Sequence, residues 1–193
     1  MTRSYLFLAE GFEEIEAITP IDVLRRAGID VTTVSISESR LVRGAHGVEI
    51  EAEATLSEVE LQDIEWLILP GGMPGATNLA GSEALSSLLK RHHSGGGKIA
   101  AICASPAVVL APLGILKGIE ATCYPSFDPQ LIRGGAIYRD RPVVALDSII
   151  TANGPSSALE FALAIVANTK GDYVSNDVAC GMLLYKQPTD FQF

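Results

Sequence analysis

The chain has 193 residues, 48% of them hydrophobic and 19% charged, with 23 acids against 14 bases for a net charge of -9. That length and apolar content suit one folded domain, residues 1–193, that buries a core without disulfides, and they exclude a disordered chain. The acidic balance, with no basic run to neutralise phosphates, argues against nucleic acid as a partner.

Cys103, Cys123 and Cys180 form no even-numbered framework and read as reduced thiols. The first apolar run ends at Glu10, too short for a signal peptide or a membrane span. A cytoplasmic location and no membrane partner are expected.

Tyr5 to Ala9 reads as an apolar strand closed by Glu10-Gly11. Residues 14 to 27 carry Ile15, Ile18, Ile21, Val23, Leu24 and Ala27 at helical spacing and stop at Gly28. Val31 to Ile36 is rich in β-branched residues and reads as a second strand. Residues 40 to 55 suggest a strand pair or hairpin, polar enough to lie at an edge. Trp66 to Leu69 is a buried strand that runs into the loop Pro70-Gly71-Gly72-Met73-Pro74-Gly75. A helix is expected from about Ser82 to His92, broken by Ser94-Gly95-Gly96-Gly97. Lys98 to Ile102 is a strand, followed by a helix to about Leu116. Pro142 to Leu146 and Ile149 to Ala152 are short strands, and Asn153-Gly154-Pro155 turns into a helix over Ser156 to Asn168.

Alternating strands and helices, with strands apolar on both faces, predict a three-layer α/β/α sandwich around a mainly parallel sheet. Sites in such folds lie at the carboxyl ends of the strands. Four loops rich in small residues sit there: 10–11, 70–75, 103–105 and 153–155.

Cys103 stands out among them. It lies between an apolar strand and a helix, with Ala101 and Ser105 two positions to either side. That is the layout of a nucleophile elbow, in which small neighbours allow a sharp turn that exposes the nucleophile above the sheet. A thiol at the positive end of a helix dipole is also expected to ionise readily.

Four segments together resemble the ThiJ/PfpI superfamily: residues 9–16, 69–72, 100–104 and 153–155. The resemblance runs from residue 4 to about residue 180, in the same order of elements. It is closest to the ThiJ-like branch of the parkinsonism-associated protein deglycase. It implies a flavodoxin-like, class I glutamine amidotransferase-like sandwich that acts as a homodimer and needs no cofactor or metal. Cys103 then matches the elbow nucleophile and Glu16 the acidic residue that hydrogen-bonds it. The backbone amides of Gly72 and Ala104 match an oxyanion hole. Two departures stand out. Ala104 occupies the place where the peptidase-like branch has histidine, and Tyr124 the place where the deglycase-like branch often has one. A pair of arginines that lines an anion site in some relatives appears here as His46 and Asn153.

A carboxylate beside a thiolate is repulsive, so a protonated Glu16 that donates to the sulfur is the workable arrangement. Such a pair titrates as a unit. Its thiolate could add to an aldehyde carbon, with the oxyanion meeting the Gly72 and Ala104 amides. On the residues alone, however, Glu16 reads as a solvated carboxylate on the first turn of its helix. Cys123 and Cys180 read as core packing, and His92 and His93 as solvated cations at a helix end. His46, Tyr124 and Gly154 are candidate pocket residues. Scattered histidines without ligand spacing argue against a zinc site.

The favoured reading is a cysteine-dependent glyoxalase or deglycase that acts on small reactive aldehydes of the methylglyoxal class or their early adducts. The alternative is an oxidative-stress sensor or chaperone with a peroxide-sensitive cysteine and no turnover. The small-molecule partner is accordingly an aldehyde or a peroxide. A binding module with a vestigial thiol stays open. Peptidase or amidase activity is disfavoured, because Ala104 cannot protonate a leaving amine.

Overall fold

The computed structural model describes residues 2–184. Its first half runs β1 (Arg3–Leu8), α1 (Glu14–Arg26), β2 (Val31–Ser35), β3 (Leu41–Arg43), β4 (Glu49–Glu51), β5 (Ala54–Thr55), β6 (Ile64–Leu69), α2 (Gly75–Gly81), α3 (Glu83–Ser94) and β7 (Lys98–Ile102). A short π-helix, Pro106–Leu110, comes next. The second half runs β8 (Glu120–Ala121), α4 (Asp128–Arg133), β9 (Ile137–Tyr138), β10 (Val143–Ala145), β11 (Ile149–Ala152), α5 (Ala158–Lys170) and α6 (Asp172–Gly181).

Seven strands form one sheet in the order β10-β11-β7-β6-β1-β2-β5. All neighbours pair parallel except β10, which runs antiparallel to β11 at one edge. Successive residues of a strand point to opposite faces, and here both faces are covered. Tyr5, Phe7, Leu67, Leu69, Ile99 and Ala101 pack on one side with Leu79 of α2, Leu85 and Leu89 of α3 and Leu131 of α4. Leu6, Leu8, Trp66, Ile68, Ala100 and Ile102 pack on the other with Val23 and Leu24 of α1 and Phe161 and Ile165 of α5. The expected α/β/α sandwich with a mainly parallel sheet is therefore what forms. The hairpin expected in residues 40 to 55 is the antiparallel pair β3–β4, and β5 then joins the sheet's outer edge.

Four expectations need correction. In α1 the buried residues are Glu16, Ala17, Pro20, Val23 and Leu24. Ile15 and Ile18 instead face outward, at 54% and 45% exposure. The stripe expected from the sequence is thus rotated on the helix: Val23 and Leu24 are buried and Ile21 and Ala27 partly so, while Ile15 and Ile18 lie outside.

The helix expected after Cys103 is not a regular α-helix to Leu116. The amides of Ala111 and Ile115 reach back five residues, to the carbonyls of Pro106 and Leu110. Pro106 and Pro112 have no N–H to donate, and a missing donor inside a helix favours such widened or broken turns. Glycines 114 and 118 then take positive φ and end the segment.

Cys123 is buried as expected, but Cys180 is exposed near the end of α6. His92 is also not a solvated cation: its Nε2 lies 3.2 Å from the Lys98 carbonyl, and burial pushes its pKa down. The elements α2, α4, α6, β8 and β9 had no counterpart in the sequence reading.

Phe161 is fully buried where α5 meets α1 and the sheet. Truncation to alanine should lower unfolding free energy by about 3–5 kcal/mol. Urea denaturation followed by circular dichroism measures this, and a loss below about 1 kcal/mol would contradict the packing described.

Candidate active site

The carboxyl ends of β6 and β7 meet the first turn of α1 at one point. Cys103 follows β7 directly and adopts φ +65°, a left-handed conformation unusual for a residue with a side chain. Its main chain is held from both sides. The Cys103 amide donates to the Ala152 carbonyl at 2.9 Å, and its carbonyl accepts from the Tyr124 amide at 2.8 Å. The buried Ser105 hydroxyl donates to the Pro70 carbonyl at 2.6 Å and ties the elbow to the loop after β6. This is the expected elbow, with one difference: Cys103 is recessed, only 8% exposed.

Glu16 is fully buried, so the solvated alternative does not describe it. Its Oε2 accepts from the Gly71 amide at 2.8 Å. Oε1 is buried with no hydrogen-bond partner among the described residues. The signal was present in the sequence, because position 16 lies on the helical stripe 16-17-20-23-24. A glutamate there was counted as surface by residue type alone.

Gly71 is the point of closest approach. A Cβ at this position would lie 2.6 Å from the Cys103 Cβ and 2.7 Å from Glu16 Oε2. Gly72 takes φ +86° and backs onto the main chain of residues 11–13. The amides of Gly72 and Ala104 both stabilise the Cys103 sulfur when it is charged.

Burial pushes the Glu16 carboxyl up to about 7, and the nearby Glu13 adds to the rise. Burial, followed by the charge and hydrogen bond of Glu16, pushes the Cys103 thiol up to about 12. A thiol that ionises easily by itself is therefore not what forms, since desolvation and a neighbouring acid outweigh the two amides. The two groups behave as one pair. The first proton leaves near neutrality, and the second is held because two adjacent buried charges repel. Sulfur can hold that single charge, facing the amides of Gly72 and Ala104, when Glu16 keeps its proton. The proton then sits on Oε1, which otherwise has no partner.

Tyr124 is half-exposed, and its ring lies over Gly154: a Cβ there would be 3.3 Å from the ring. Neighbouring Asn153 accepts from the Ser157 hydroxyl at 2.6 Å. His46 is exposed, with Nδ1 at 2.8 Å from Glu14 Oε2, and its amide donates to Glu14 Oε1 at 2.7 Å. Glu14 raises the His46 pKa. Donor atoms of Glu13, Glu14 and His46 lie within 4.8 Å of one another. Sequence spacing could not show this cluster, since His46 meets Glu14 across a turn between β3 and β4. Concavity alone points elsewhere, to a cavity of about 290 Å³ between Gly28, Asp30, Glu65, Thr169 and Lys170, which has no cysteine.

The comparisons with known proteins bear on this geometry. The DJ-1/PfpI family pattern matches residues 2–168. The chain belongs to the DJ-1/PfpI family. It is 40% identical over 185 residues to protein dj-1beta of Drosophila melanogaster, covering 95% of this chain and 98% of that one. It is 38% identical over 177 residues to the glutathione-independent glyoxalase DJR-1.2 of Caenorhabditis elegans, covering 92% and 93%. Among solved structures, Toxoplasma gondii DJ-1 in an oxidized state superposes with a TM-score of 0.90 at 39% identity, over 97% of this chain and 100% of that one. No described helix of this family member is long and apolar enough to cross a membrane.

Raising the Glu16 carboxyl from 4.5 to about 7 makes the folded state hold its proton more tightly than the unfolded chain does. Stability from this group is therefore full below about pH 4.5 and is lost as pH rises through about 7, a change of about 3 kcal/mol. Glu16→Gln should remove that loss, so the variant should be the more stable of the two at pH 8. Urea denaturation of both proteins at pH 5 and pH 8 tests the sign. A wild type that gains relative stability at pH 8 would contradict a buried, protonated Glu16.

Proposed function

We propose that this member of the DJ-1/PfpI family is a cysteine-dependent glyoxalase that converts small 2-oxoaldehydes of the methylglyoxal class to hydroxy acids, or clears their early adducts. One observation carries the reading: a nucleophile on a strained elbow, beside two backbone amides and a buried carboxyl that keeps its proton to near pH 7.

The Cys103 thiolate attacks the aldehyde carbon, and the C=O electron pair moves onto oxygen. The Gly72 and Ala104 amides face the resulting alkoxide, which takes the Glu16 proton to give a hemithioacetal. The Glu16 carboxylate then carries the proton from C1 to C2 while the C1 hydroxyl proton passes to the C2 oxygen, which leaves a thioester on Cys103. Water cleaves the thioester, releases lactate and restores the thiol. The sum is methylglyoxal plus water to lactate, with no external oxidant or reductant. The relative named as a glutathione-independent glyoxalase supports this choice of substrate class. No histidine takes part, so Glu16 carries every proton transfer between substrate atoms. His46 and Tyr124 are read as pocket residues that shape access.

A second reading is supported by the relative solved in an oxidized state. Peroxide converts the thiolate to sulfenic and then sulfinic acid, and a protonated Glu16 can donate to the new oxygens.

Cys103→Ser should abolish lactate formation from methylglyoxal, and Glu16→Gln should lower it by about 10²–10⁴-fold. Full activity in a clean preparation of the serine variant would end the enzyme reading. For the second reading, mild peroxide followed by peptide mass spectrometry should add two oxygens to Cys103 ahead of buried Cys123 and exposed Cys180. Faster oxidation of Cys180 would count against it.

We also propose a homodimer built on the outward face of α1, where Ile15 and Ile18 lie exposed beside exposed Val48. Analytical ultracentrifugation should give twice the chain mass, and Ile15→Glu with Ile18→Glu should give the monomer. A wild-type monomer at micromolar concentration would reject it.

A further inference from the structure

Glu13 has no part in the chemistry above, yet it is buried to 8% exposure immediately behind the site. Three hydrogen bonds close a triangle around it. The Glu13 amide donates to the Gly71 carbonyl at 3.0 Å. The Gly71 amide donates to Glu16 Oε2 at 2.8 Å. The Glu16 amide donates to Glu13 Oε2 at 2.8 Å, which caps the start of α1. Each corner is fixed by the other two.

Gly71 is also the residue where a side chain would run into both Cys103 and Glu16. Any shift of Glu13 is therefore passed to both reacting groups. Capping by itself needs only a neutral acceptor, and Ser, Thr, Asn and Asp are the usual choices. A carboxylate on a longer stem, buried close to a second buried carboxyl, is electrostatically unfavourable unless the repulsion serves the site.

We propose that Glu13 is a positioning residue of this site: it holds the Glu16 carboxyl against Cys103 through the triangle and sets a fixed negative charge behind it. The charge acts on proton placement. Glu16 faces Cys103 from the elbow and Glu13 from its own helix start, and Glu13 in turn lies near Glu14 and His46. Of these, Glu14 is engaged by the 44–48 turn through His46 and Val48. Glu13 is the acid whose charge bears on Glu16 and favours its protonated form. With the proton kept on Glu16, the pair's negative charge stays on sulfur.

The inference rests on Cys103 and Glu16 forming the reactive pair, but it can be read without any substrate. The pH dependence of Cys103 alkylation by iodoacetamide, followed by peptide mass spectrometry, reports the pair directly. Glu13→Gln and Glu13→Asn both keep an acceptor for the Glu16 amide and remove the charge. Each should move the alkylation midpoint down by about one pH unit, the effect of one neighbouring charge. Glu13→Asp keeps the charge and should leave the midpoint in place. Glu13→Ala loses the cap as well and should melt about 2–4 °C lower than the wild type. Unchanged midpoints in the Gln and Asn variants would overturn the proposal, as would a shift in the Asp variant equal to theirs. Should the wild type make no lactate while these shifts appear, the glyoxalase reading fails and the role of Glu13 stands.

Discussion

A missing side chain at position 71 sets the terms for the whole site. The loop after β6, the elbow after β7 and the first turn of α1 come together where any Cβ would overlap both Cys103 and Glu16. Glycine lets the main chain itself pass between nucleophile and acid. Its amide is then spent on Glu16 and its carbonyl on Glu13. Backbone so placed cannot drift, because each of its polar groups is buried and partnered. The left-handed backbone at Cys103 costs on the order of 1–3 kcal/mol. It persists because Ala152 and Tyr124 hold the main chain and Ser105 anchors the next turn.

From that packing follows the electrostatics. Both acids of the pair are out of water, and each resists ionisation when alone. Together they tolerate one negative charge and not two. The site therefore sets a buried nucleophile beside a carboxyl whose proton is held to about pH 7. In the proposed aldehyde chemistry the thiol would form the bond to carbon and the carboxyl would move protons around it.

The absent imidazoles fit the same picture. Tyr124 sets its ring beside Gly154 and is joined by its amide to the elbow carbonyl. Its backbone thus supports Cys103, whatever its ring does for the pocket. His46 belongs to a different arrangement, paired with Glu14 on the surface side of α1.

Periodicity and turn chemistry made the layers, the mainly parallel sheet and the elbow legible from residues alone, since these depend on local spacing. Apolar runs such as Trp66–Leu69 cannot be stable except between two covered faces. Cys103 between small residues announced a sharp turn for the same local reason. Short elements such as α2 and β8 escaped, because a few weak formers between glycines and prolines are decided by neighbours. The rotation of α1 escaped too, since three isoleucines outweighed the stripe that includes Glu16. Reading Glu16 as a proton carrier required a family resemblance, because a lone carboxylate on a first turn looks like surface. Only the tertiary structure decided that this carboxyl is buried, that Cys103 is recessed, and that Glu13 closes the triangle through Gly71. Those facts come from contacts between positions 13, 16, 71 and 103, and burial energies depend on such contacts rather than on sequence spacing.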